Sequence, residues 1–131
     1  MKESGQQLWP LLREKFINTN EFSNQLLKSY TEDFAGLNLT KITTPEDFLN
    51  KQILDSINPL DQDKDFLESI LSRKLLIDVG FGGGFPLLPI AWKLPEIKVI
   101  GIESINKKVE AVRQIALKNN LATVPPRRAP T

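Results

Sequence analysis

The sequence predicts an α/β fold: a helical N-terminal piece in front of a parallel sheet with helices wound over both of its faces. Three observations carry the prediction. Through residues 6–39, apolar side chains such as Leu8, Leu11, Phe22, Leu26 and Tyr30 recur at three- and four-residue spacing. KLLIDVG (74–80) and KVIGIES (98–104) are nearly continuous apolar runs, the pattern of strands covered on both sides. Helical periods follow each run, and the order strand, helix, strand, helix favours parallel pairing.

Each element has its own local reason. Thr44-Pro45-Glu46-Asp47 reads as a helix start, with a hydroxyl to cap, a proline in the first turn and acids at the positive end. Phe48, Ile53, Ile57 and Leu60 then mark a buried face, and Asn58-Pro59 reads as the stop. A shorter helix is expected over 65–72 with Phe66, Leu67 and Ile70 inward. Pro86 to Leu94 reads as a short helix ending before Pro95, and 105–121 as an amphipathic one. In that last helix Val109, Val112, Ile115 and Ala116 face inward, while Lys107, Lys108, Glu110, Arg113 and Lys118 face water. Trp9 and Trp92 sit at apolar positions and read as core or interface.

The closing TVPPRRAPT breaks the pattern, because prolines cannot donate to a ladder. It reads as disordered, which leaves a sheet of two strands with an open edge and uncovered apolar surface. The expected organisation is a helical segment over 1–72, a partial sheet domain over 73–122 and a tail over 123–131.

Composition narrows the chemistry. At 131 residues the chain is one small domain or a piece of a larger one. Its apolar runs are too short to span a bilayer, so no membrane is expected as a partner. Without cysteine there is no disulfide framework and no thiolate metal site, which fits the cytoplasm. Without histidine the commonest general base and metal ligand are both missing, so no catalytic base and no metal ligand is named. A formal net charge of +1 does not by itself announce a nucleic-acid partner.

The informative stretch is LIDVGFGGGFPLLP (76–89), which holds four of the chain's seven glycines. In an open α/β sheet, ligands bind beyond the carboxyl ends of the strands, and the first turn carries their polar groups. Glycine there reaches positive φ without penalty and lets a ligand approach bare main chain. Asp78-Val79-Gly80-Phe81-Gly82-Gly83-Gly84 fits the spacing D-x-G-x-G-x-G, and Glu103 ends the next strand, 19 residues after Gly84. A carboxylate in that place can accept ribose hydroxyls. The nicotinamide fingerprint G-x-G-x-x-G would need glycine at 85 or 87, where Phe85 and Leu87 stand, and no G-K-[ST] phosphate loop follows. The loop therefore favours a nucleoside without a pyrophosphate, and S-adenosyl-L-methionine fits that description; an NAD(P)-dependent oxidoreductase is the competing reading.

LIDVGFGGGFPLLPIAWKLP followed by IESINKKVEAVRQIALKNNL resembles the RsmG (GidB) family of small-subunit rRNA methyltransferases. That family shows D-V-G-T-G-x-G-F-P-G-I-P-L-A and a later D-S-x-x-K-R. Upstream, LNLTKIT (37–43) and ILDSI (53–57) resemble its N-L-T-x-I and I-L-D-S segments. The resemblance spans residues 20–121 and implies a class I, Rossmann-like S-adenosylmethionine-dependent methyltransferase, incomplete here, acting on the N7 of a guanosine in 16S rRNA of the small ribosomal subunit. It implies that Asp78, Gly80, Gly82, Gly84 and Phe85 line the cofactor pocket, that Glu103 holds the ribose, and that Lys107 and Lys108 face cofactor or RNA phosphate. Phe81 and Leu87 depart from the family's threonine and glycine, Gln52 stands where a histidine is common, and TVPPRRAPT replaces the family's further strands. A truncated relic, or a chain that only binds, is therefore the second reading. Guanine N7 already carries a free lone pair, so the implied chemistry needs alignment more than a base.

Overall fold

The computed structural model describes residues 18–34, 36, 39–121 and the main chain of 127–128. The expected helical pattern at Leu8, Leu11 and Leu12, with Trp9, lies outside them, as does the rest of the tail.

Helix α1 (Thr19–Lys28) starts at Asn18, whose Oδ1 accepts the Glu21 N–H at 2.9 Å. It buries Phe22, Leu26 and Leu27 and widens into a π-helical turn, Ser29–Asp33, that buries Tyr30. Helix α2 (Pro45–Asp47) opens as expected, with proline in the first turn and the Thr44 hydroxyl accepting the Asp47 N–H. It continues through a π-helical segment, Phe48–Leu54, into α3 (Asp55–Gln62). The wide segment explains a spacing the sequence left irregular. Phe48 and Ile53 are five apart, and i→i+5 pairing brings residues at that spacing onto one buried face.

Two local expectations are corrected here. Pro59 does not stop its helix, because α3 runs on to Gln62 with the Asp63 N–H donating to the Pro59 carbonyl. Proline forgoes its own N–H bond but keeps a carbonyl that can accept, so the helix continues past it. In α4 (Lys64–Arg73), capped by Asp63, Ile70 is buried and Leu67 partly so, but Phe66 is 38% exposed. Phe66 lies in the first turn, beside the exposed cap, and the core does not reach that far.

The sheet follows from β1 (Leu75–Val79), β2 (Lys98–Glu103) and β3 (Arg127–Arg128), all parallel, in the order β1-β2-β3. Leu75 lies opposite Lys98 and Val79 opposite Ile102, so the two long strands end together at their carboxyl ends. Helix α5 (Leu87–Lys93) links β1 to β2, and α6 (Asn106–Lys118) leaves β2. The third strand corrects the reading of the tail. Arg127 and Arg128 pair with Ile102 and Glu103, because these two residues keep the amide hydrogens that the flanking prolines lack.

Both crossovers advance in the same direction along the sheet, and right-handed connections then put both helices on one face. That face carries Val99, Gly101 and Glu103, all buried. The opposite face is not covered, contrary to the expectation for KLLIDVG: Ile77 is 49% and Val79 74% exposed, and Leu75 is exposed too. No further strand pairs with the outer edge of β1 among the described residues. A single core joins the N-terminal helices to the covered face, from Phe22, Leu26 and Phe48 to Leu88, Val99 and Ile115. Phe22 stacks on Trp92 at 4.4 Å with nearly parallel rings, placing Trp92 in the packing as expected. Such a pair contributes about 0.5–1.5 kcal/mol beyond its buried area.

Candidate functional site: the turn after β1

The chain leaves β1 through a turn that only glycine makes without strain. Gly80, Gly82 and Gly84 have φ of 72°, 58° and 104°, a region costly for residues with a Cβ. The Gly80 N–H still donates to the Ile102 carbonyl at 2.6 Å, so the turn begins in register with β2. The Gly84 N–H then closes it onto the Phe81 carbonyl at 2.9 Å.

The turn has two unlike sides. A Cβ added at Gly80 or Gly82 would meet nothing within 4 Å. A Cβ at Gly83 would collide with the Leu39 carbonyl, and one at Gly84 would lie 2.9 Å from the Tyr30 hydroxyl. One side is therefore bare main chain facing open space, and the other is pressed against the N-terminal helical segment. Neither phenylalanine plugs the open side. Phe81 is buried over Gly101, and Phe85 packs into an aromatic group, 5.3 Å from Tyr30 and 5.7 Å from Phe48. Leu87 is buried against Gly101 as well, so it does not narrow the mouth.

Glu103, only 8% exposed, turns toward this bare side. Its Oε1 accepts the Gly82 N–H at 2.9 Å, and its Oε2 accepts the N–H groups of Ser104 at 2.8 Å and Ile105 at 3.1 Å. Donation from Ile105, then Gly82 and Ser104, with the Lys108 charge nearby, holds this carboxyl below the usual range against the opposing effect of burial. Each carboxylate oxygen has two accepting positions, so Oε1 keeps one that these bonds do not fill. Asp78, at the end of β1, behaves oppositely. Burial raises its pKa, moderated by the Leu87 N–H, and its Oδ2 is buried with no hydrogen-bond partner.

The structure thus brings Gly80, Gly82 and Glu103 along one open edge, with Asp78 two residues before the turn and its Oδ2 buried. Two expected site residues sit elsewhere in it. The bareness of Gly84 makes room for Tyr30 and Leu88, and Phe85 belongs to the aromatic packing. Lys108 is half-buried within the electrostatic reach of Glu103, whereas Lys107 is exposed to water. Gln52 donates to the Thr40 hydroxyl at 3.1 Å, pinning the segment that leads into α2. Sequence reasoning missed Tyr30 and Leu39 as supports of the turn. Tyr30 fits the apolar stripe of α1 like any core residue, and nothing in its local pattern points 53 positions downstream.

The GidB family, described as rRNA small subunit methyltransferase G, matches residues 19–128. A relative named ribosomal RNA small subunit methyltransferase G from Clostridium botulinum (strain Alaska E43 / Type E3) is 38% identical over 111 residues, covering 85% of this chain and 41% of its own length. A protein of the same name from Synechococcus sp. (strain WH7803) is 34% identical over 126 residues, covering 90% of this chain and 46% of its own. One from Myxococcus xanthus (strain DK1622) is 36% identical over 90 residues, covering 69% and 38%. The chain spans less than half the length of these curated relatives. Nothing among them favours a nicotinamide-dependent oxidoreductase. With the glycine turn, the parallel β-α-β-α-β unit and a match over residues 19–128 in agreement, the chain belongs to the GidB family of small-subunit rRNA methyltransferases.

Proposed function

We propose that this chain supplies the cofactor-binding part of an S-adenosylmethionine-dependent enzyme that methylates the N7 of a guanosine in 16S rRNA. The observation that carries the reading is the bare side of the turn: Gly80 and Gly82 at positive φ, open space beside both, and Glu103 held against the Gly82 N–H. The residues fit an adenosyl-methionine group. Gly80 and Gly82 admit it against the main chain, and the unfilled position on Glu103 Oε1 accepts one ribose hydroxyl. When bound, that group supplies an electrophilic methyl on a sulfonium.

The chain's own part is to bind, orient and exclude water. Guanine N7 offers a lone pair with no proton to remove, so the lack of histidine and cysteine is no obstacle. Rate enhancement then comes from alignment in a dry, charge-matched site. Lys107 and Lys108, at the start of α6, provide cationic contacts for cofactor or RNA phosphate.

Calorimetric titration of the chain with S-adenosylmethionine tests the reading, and saturable binding is the expected result. A folded chain that gives no heat of binding removes it. A second reading, binding without methyl transfer, is favoured by the uncovered face of β1. Mass spectrometry for N7-methylguanosine after incubation with 16S rRNA separates the two.

A further inference from the structure

The turn is gripped from behind by residues that no local pattern assigns to a site. The Tyr30 hydroxyl donates to the Gly83 carbonyl, across 53 residues of sequence. The Tyr30 ring is 3% exposed and held on both flanks, stacked on Phe85 at 5.3 Å and tilted against Phe48 at 5.8 Å. The Leu39 carbonyl occupies the place a side chain at Gly83 would take, and the Tyr30 hydroxyl limits Gly84 in the same way. Gly83 and Gly84 are therefore bare so that the N-terminal helices can reach the turn, whereas Gly80 and Gly82 face open space.

We infer that Tyr30 is a positioning residue for the cofactor site: its hydroxyl, through the Gly83 carbonyl, sets the curvature that keeps the main chain at Gly80 and Gly82 bare toward the ligand. The inference rests on the cofactor reading above. The mechanism is steric and local. Gly82 is clamped between two anchors, its own N–H bonded to Glu103 on one side and the Gly83 carbonyl bonded to Tyr30 on the other. Releasing the second anchor lets the intervening peptide rotate, and the positive φ of Gly82 and Gly84 is then no longer imposed from outside. Burial also raises the Tyr30 pKa far above neutrality, so the phenol remains a donor at any working pH.

Tyr30→Phe keeps the aromatic packing and removes only the hydroxyl. Two measurements on the full chain test the inference. The first is amide hydrogen exchange without ligand. The variant is expected to exchange Gly82 and Gly84 about tenfold faster while the amide of Asn119, which caps the end of α6 and bonds to Ile115, is unchanged; tenfold corresponds to about 1.4 kcal/mol. The second is calorimetric affinity for S-adenosylmethionine, expected to weaken about tenfold. Ile70→Val, buried in α4, serves as the control for general loosening and is expected to leave both readouts alone. Unchanged exchange at Gly82 and Gly84 overturns the inference, and so does faster exchange with full affinity. If the parent chain binds no S-adenosylmethionine, the cofactor reading falls, and exchange alone decides whether Tyr30 positions the turn.

Discussion

Replacing Glu103 with glutamine tests the site at its most connected atom pair. The carboxylate accepts three main-chain N–H groups, Gly82 on Oε1 and Ser104 and Ile105 on Oε2, at 2.9, 2.8 and 3.1 Å. An amide offers one accepting oxygen and one donating nitrogen. If the oxygen keeps Ser104 and Ile105, the nitrogen faces the Gly82 N–H, donor against donor. The reverse arrangement strands two N–H groups instead. Leaving one partly buried donor without a partner costs about 1–3 kcal/mol. Urea unfolding followed by circular dichroism at pH 7 should show Glu103→Gln less stable by that amount.

The pH dependence gives a second handle. The folded pKa of Glu103 lies below its usual value, so its contribution is present above about pH 4.3. That contribution is lost as the pH falls through the lower folded value. The difference between parent and variant is therefore full at pH 7 and shrinks below about pH 4. Asp78 shifts the other way but is present in both proteins, so the difference isolates Glu103. Equal urea midpoints at pH 7, or a gap that persists unchanged into acid, would refute the hydrogen-bond account.

The two sides of the turn predict two kinds of glycine variant. Gly82→Val places a branched side chain at φ 58° in the open space, so S-adenosylmethionine binding should vanish in calorimetry while the fold persists, destabilised by about 1–3 kcal/mol. Gly83→Ala drives a Cβ into the Leu39 carbonyl, so the thermal midpoint should fall and the contact with the N-terminal helices should loosen; an unchanged midpoint contradicts the packing described. The uncovered face of β1 predicts self-association in analytical ultracentrifugation, which Ile77→Thr should reduce while leaving cofactor affinity intact.

Much of the fold was legible in the sequence because the elements are strongly periodic. The two long strands, α5, α6 and the start at Thr44 follow from apolar runs and capping chemistry, and the glycine turn with Glu103 follows from spacing. What escaped has physical causes. The π-helical stretches defeat a period of 3.6, which left the spacing of Phe48 and Ile53 irregular. Pro59 looked like a stop because proline usually ends a helix, although this one runs on to Gln62. Phe66 looked inward by period alone, which cannot tell where the core ends. The hold of Tyr30 on Gly83, and the place taken by Leu39, depend on tertiary approach. A count of glycines cannot separate those facing a ligand from those facing protein.

The outer side of β1 decides what kind of recess the glycine turn can form. Among the described residues β1 has a strand on one flank only, so the turn stands at the rim of the layer and the space beside Gly80 and Gly82 is open. Strands added beyond β1 would bring that rim to the middle of the sheet, where the direction of winding reverses and a crevice gains its second wall. Whatever polypeptide shields Leu75, Ile77 and Val79 from water would in the same act complete the enclosure.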